Sequence, residues 1–105
     1  MAKPNPAVLA KFRAALEQLY GDRIERVVLF GSQARGDARP DSDYDVAIFL
    51  RSLDDRWAEL DKLAHLRVSF LDETGVFFDA LPYPAAAYQD RTPLMHEIRR
   101  EGIRL

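Results

Sequence analysis

Apolar residues recur at three- and four-residue steps from Leu9 through Phe12 and Leu16 to Leu19, the period of one helix face. Asn5 and Pro6 suit an N-cap and a first helical position, and Gly21 stops the run. The spacing predicts a short amphipathic helix. Val27-Val28-Leu29-Phe30 then form an unbroken apolar stretch, short and β-branched, which predicts a strand covered on both faces. Gly31-Ser32 closes it. Gly36 and Pro40 lie in the next ten residues, so 33–42 reads as a brief helical turn followed by a loop, with Gly36 supplying a positive φ.

From 43 to 50 the chain alternates. Asp43, Asp45, Ala47 and Phe49 fall on one face, and Tyr44, Val46, Ile48 and Leu50 on the other, which predicts a second strand. Ser52 and Asp55 have the spacing of a capping box, and Leu53, Trp57, Leu60, Ala64 and Leu71, with Leu63, Leu66 and Phe70 beside them, predict a long helix ended by Gly75. Trp57 is expected in the core as part of that stripe. Residues 76–81 predict a third strand ended by Pro82 and Pro84, and Thr92-Pro93 opens a last helix through Arg100 that stops at Gly102. The expected fold is α/β, a small mixed sheet of about three strands flanked by helices, in a single domain over 1–105.

Composition narrows the function classes. The 15 Lys and Arg nearly balance the 17 Asp and Glu, so no global field draws the chain to nucleic acid or to an anionic membrane; direct nucleic-acid binding is not expected. The absence of cysteine removes disulfides, thiolate zinc sites and cysteine nucleophiles. No segment approaches the roughly 20 apolar residues of a membrane span, and the first residues lack a signal-peptide core. A cytoplasmic protein without a membrane partner is the expectation.

Three acids sit where a strand gains nothing from them. Asp43 and Asp45 are two apart, so their side chains share a face with Cα atoms roughly 6.6 Å apart, and at an effective dielectric of about 20 their charges repel by roughly 2 to 3 kcal/mol. Such a pair invites a hard divalent cation such as Mg²⁺, with phosphate oxygens completing its shell. Asp79 is a third acid, set among Phe77, Phe78 and Leu81, and it joins the pair if its strand lies beside theirs. Gly31 permits close approach of a phosphate to the backbone, and Ser32 adds a hydroxyl and N–H groups. Acids for metal beside a Gly-Ser corner for phosphate suggest metal-assisted phosphoryl or nucleotidyl transfer.

Gly31-Ser32, ten residues, then Asp43-Tyr44-Asp45 resembles the signature of the polymerase-β-like nucleotidyltransferases. Gly31-Ser32-Gln33-Ala34-Arg35-Gly36 with Ser42-Asp43 is similar to the minimal nucleotidyltransferase branch. The likeness spans roughly 27–79, and 94–105 is similar to the end of that branch. It implies that Asp43, Asp45 and Asp79 coordinate Mg²⁺, two ions being usual, and that Asp79 also helps deprotonate the acceptor hydroxyl. It implies that Gly31 and Ser32 hold the phosphates of ATP; Arg35, by its charge and place, is a further candidate to meet a phosphate. Members of this branch resemble the antitoxin of a toxin–antitoxin module whose toxin is a HEPN ribonuclease, which implies transfer of AMP to a tyrosine hydroxyl of that partner.

Other readings accompany these. Arg35 has an alternative in pairing with Asp37 or Asp41. His65 and His96 lack a second spaced ligand and are expected to be structural or solvated, and the basic residues Arg91, Arg99, Arg100 and Arg104 to form a solvated face. A module that neutralises its partner merely by covering it, and a transferase acting on a small molecule or an RNA end, are the competing functions.

Overall fold

The computed structural model describes residues 5–37, 39 and 42–105. Asn5 caps the first helix, α1 (Pro6–Tyr20), by accepting hydrogen bonds from the N–H groups of Ala7 and Val8 at 3.0 and 3.3 Å; Pro6, at N1, has no N–H to leave orphaned. Its buried stripe is Phe12, Leu16 and Tyr20, while Leu19 points outward. After a 3-10 turn over Gly21–Arg23 comes strand β1 (Ile24–Phe30). It starts three residues earlier than its apolar run, and Val27, Val28 and Leu29 are buried in succession, as a strand covered on both faces requires.

A one-turn helix, α2 (Gly31–Arg35), precedes β2 (Tyr44–Leu50). Helix α3 (Arg56–Thr74) carries the chain back to β3 (Phe78–Pro84), and α4 (Pro93–Glu101) leads into a two-residue strand, β4 (Ile103–Arg104). The sheet is mixed and four-stranded, in the order β3-β2-β1-β4, with β1 antiparallel to both its neighbours and β2 parallel to β3. The fourth strand adds to the three expected; two residues are too few to show a period.

The two faces of β2 separate the core in two, as its alternation predicts. Tyr44, Val46, Ile48 and Leu50 pack with Phe12, Leu16, Leu63 and Phe70 under α1 and α3. Ala47 and Phe49 pack on the other face with Val28, Met95 and Ile98 under α4. Phe12 lies flat on Phe78, ring centroids 3.9 Å apart, and both rings meet the edge of Phe70 at 5.3 Å.

Three local expectations are corrected. The cap of α3 is Asp55, which accepts from Ala58 N–H at 3.1 Å, because it directly precedes the first helical residue; Ser52 instead receives Arg23 Nε at 3.3 Å. Trp57 is 81% exposed. The inward face of α3 is set by Glu59, Leu63 and Phe70, and Trp57 stands well outside that arc on a 100° wheel. Pro82 and Pro84 lie within β3 rather than ending it. The bond from Tyr44 N–H to the Phe77 carbonyl, 3.0 Å, sets the phase of the parallel ladder. Phe77, Asp79, Leu81 and Tyr83 therefore turn their backbone groups to β2, and the prolines' missing N–H groups fall on the outer edge. There Arg56 Nη1 donates to the Pro82 carbonyl at 2.7 Å.

Candidate functional site

The C-terminal end of β1 and the first residues of β2 and β3 meet on the face of the sheet that carries α4. Phe30 and Asp45 are Cα partners across the antiparallel pair, and Asp45 and Asp79 are Cα partners across the parallel one, so both aspartates lie on the same side of the sheet. Asp43 is exposed, one residue ahead of β2. The sequence-predicted acids are thus brought to one corner. Among the described residues they do not form a closed three-ligand metal cluster.

Gly31 completes the corner. Its φ is +75°, in the left-handed region, and a Cβ built on it would overlap the Asp45 carboxylate. Glycine is therefore required twice: for the turn from β1 into α2 and for the space beside Asp45. Ser32 follows, half-buried. Gln33 is buried and donates from Nε2 to the Ser42 carbonyl at 3.1 Å, tying α2 to the residue before Asp43. Ser42 is fixed in turn by exchanging hydrogen bonds with the Arg39 backbone, both at 3.0 Å. Gly36 ends α2 with φ +80°, the positive value expected of it.

Burial pushes the Asp45 carboxyl above its usual range, and the charges of Asp79, Asp43 and Glu97 push it the same way, while Arg35 opposes them. Excess negative charge is thus concentrated beside Gly31. Arg35 pairs with Asp37 at 3.3 Å and with Glu101 at 3.4 Å. Of its two expected acid partners Asp37 is observed, and Asp41 lies outside the described residues. Glu97 and Glu101 were not singled out from sequence. Their spacing of four places them on one flank of α4, which is the signal that could have found them.

The remaining candidates stand elsewhere. His65 is exposed, with Nδ1 2.8 Å from the Asp61 carbonyl, and His96 is exposed on α4. Arg99 is not a free surface charge: its Nη1 donates to the carbonyls of Tyr88 and Asp90, the latter at 2.9 Å. Among the described residues no helix is long and apolar enough to cross a membrane.

Comparison with known proteins places this corner in context. A family model described as a nucleotidyltransferase domain matches residues 9–85. Two proteins of Methanocaldococcus jannaschii, each named "putative protein adenylyltransferase", are similar over shorter stretches. One is 37% identical over 46 residues, 44% of this chain and 46% of the relative; the other is 45% identical over 40 residues, 38% of this chain and 40% of the relative. The matches thus span under half the length of these relatives. Among solved structures, a chain of a toxin–antitoxin with AMP-PNP superposes with TM-score 0.64 at 19% identity, over 96% of this chain and 72% of that one. A chain of an MntA-HpeT toxin–antitoxin mutant superposes with TM-score 0.62 at 16% identity, over 90% and 69%. At such identities the likeness is one of fold.

Proposed function

We propose, for a chain that belongs to the nucleotidyltransferase domain family, that it transfers AMP from ATP to a tyrosine hydroxyl of a partner HEPN-family toxin and so silences it. The observation that best supports this reading is the register that sets Asp45 beside Asp79, with Gly31 pressed against the Asp45 carboxylate. The relatives named as protein adenylyltransferases support AMP transfer to protein. The solved neighbours support ATP and a toxin partner. The HEPN identity and the tyrosine acceptor rest on the resemblance of the Gly31-Ser32 and Asp43-Tyr44-Asp45 motifs.

The donor set suits Mg²⁺. Carboxylate oxygens are hard ligands, and burial and neighbouring acids already disfavour an uncompensated charge on Asp45. Asp43, Asp45 and Asp79 would hold the ion. When bound, Mg²⁺ offsets the charge of the triphosphate and of the departing pyrophosphate.

The chain's own residues do the rest. Gly31, having no side chain, would let a phosphate approach the backbone, and the Ser32 hydroxyl would donate to its oxygens. Arg35 supplies positive charge at the same rim. Asp79, at the start of β3, accepts the proton of the acceptor hydroxyl on a carboxylate oxygen as that hydroxyl's oxygen bonds to the α-phosphorus. The bond from that phosphorus to the oxygen bridging the β-phosphate breaks, and pyrophosphate leaves with the electron pair. Incubation with labelled ATP, Mg²⁺ and the product of the neighbouring gene tests the reading. Label on the partner that disappears with Asp43→Ala and Asp45→Ala is expected; an unlabelled partner, or label that persists in both variants, rejects it.

A further inference from the structure

Arg35 is a cation set beside an unusually acidic corner. Asp43, Asp45, Asp79 and Glu97 all act on the same space, and the guanidinium is close enough to oppose them. A long, mobile cationic side chain in that position is drawn onto the carboxylates, where it would occupy the place of a metal ion and lose its reach toward a triphosphate. It is instead held elsewhere, by Asp37 and Glu101.

We infer that Glu101 is a positioning residue, which holds the Arg35 guanidinium at the rim of the carboxylate corner, off Asp45 and open to an incoming triphosphate. This rests on the nucleotidyltransferase reading above and adds to it a residue on α4 that reaches the phosphate side of the site.

A lone exposed ion pair does little, but Glu101 is not held like one. It is the last residue of α4, and its side chain is 25% exposed, gripped on one oxygen by Arg35 and on the other by Arg100 at 3.2 Å. The next residue fixes the backbone. A Cβ on Gly102 would overlap both the Ile98 carbonyl and Val28 Cγ1, and Gly102 N–H donates to Ile98 at 3.0 Å. The end of α4 is therefore clamped onto β1, the strand that delivers Gly31. The backbones that carry Glu101 and the Gly31–Arg35 turn are thus held against one strand, which sets where the acid and the arginine side chains begin. Asp37 lies on the loop beyond α2 and gives the other half of the clasp, at 3.3 Å.

Titration of the purified protein with Mg²⁺ and the ATP analogue AMP-PNP, followed by calorimetry, tests this without an acceptor. Glu101→Gln is expected to weaken analogue binding about tenfold, the worth of one charge-assisted hydrogen bond, and to raise the Mg²⁺ concentration at half-saturation because Arg35 then competes at Asp45. Arg35→Ala is expected to weaken binding as well, and adding Glu101→Gln to it to change nothing more. Glu101→Asp, one methylene shorter with its charge kept, is expected to recover part of the loss. Melting temperatures recorded alongside separate these effects from unfolding. Unchanged affinity and Mg²⁺ midpoint in Glu101→Gln, or a full additional loss in the double variant, overturns the assignment while leaving the transferase reading in place. Failure of the wild-type protein to bind the analogue at all overturns both.

Discussion

Asp45 and Asp79 are Cα partners across the parallel pair of β2 and β3, and the charge of Asp79 is among the causes that raise the Asp45 carboxyl above its ordinary value of 3.8. Two acids side by side at a half-buried strand start disfavour folding when both are charged, and the proposed Mg²⁺ site would offset that repulsion.

The pH dependence follows with a definite sign. Because the folded value of Asp45 lies above its unfolded value, the folded state holds more protons in the window just above 3.8, and this group's contribution to stability falls as pH rises through the folded value. At neutral pH the charged carboxylate is a net penalty. Asp45→Asn is therefore expected to melt higher than wild type at neutral pH, with the difference shrinking as pH falls toward 3.8. Circular dichroism melts of both proteins across that range check it. Equal melting temperatures throughout contradict it.

Gly31→Ala places a methyl group against the Asp45 carboxylate and forces an L side chain to φ +75°. The backbone strain alone costs about 1–2 kcal/mol, and the displaced carboxylate adds to it. The variant is expected to unfold at lower urea concentration, with an unfolding free energy reduced by at least that amount. It is also expected to lose Mg²⁺-dependent nucleotide binding, whereas Gly36→Ala, strained by its own φ of +80° but meeting no atom within 4 Å, is expected to lose stability and keep that binding. Wild-type binding by Gly31→Ala contradicts the close approach.

Two aromatic residues that look alike in the sequence pattern differ in their contribution. Phe12 is fully buried on the face of Phe78, so Phe12→Ala should cost about 3–5 kcal/mol. Trp57 is 81% exposed, so Trp57→Ala should change stability by no more than about 0.5 kcal/mol. Urea unfolding of the two variants measures both, and a large loss at Trp57 would show an unrecognised contact.

The difference between those residues also shows where sequence pattern is informative. Alternation from 43 to 50 resolved both faces of β2, because a central strand between two apolar layers leaves each face a strict partner. The apolar run at 27–30 was equally legible, and with it the Gly31-Ser32 corner. The helical stripe of α3 was less so. A surface helix accepts apolar residues outside its buried arc, and Trp57 is one of them. The prolines of β3 misled because a proline is compatible with a strand when its missing N–H faces the outer edge, a fact of ladder phase that no residue type records. Glu97 and Glu101 acquire their place only once α4 is laid across the end of β1. Their spacing puts both on one flank of α4, but only long-range packing turns that flank toward Asp45 and Arg35.

Gly102→Ala tests that packing. The added methyl group has no room between the Ile98 carbonyl and Val28, so the end of α4 must lift from β1 at a cost of about 1–3 kcal/mol. Weaker AMP-PNP binding is expected to accompany the loss, since Glu101 moves with it. A variant as stable as wild type contradicts the clamp.

The proposed transfer of a nucleotide from the aspartate corner to a protein hydroxyl is tested most directly by the intact mass of the proposed toxin partner after incubation with ATP and Mg²⁺, beside wild-type protein and beside Asp79→Asn. An increase by one or more AMP residues with wild type, and none with an Asp79→Asn variant that still binds the partner, is the predicted result. An unmodified partner that is neutralised equally well by both proteins would contradict it, and would assign the protection to contact alone.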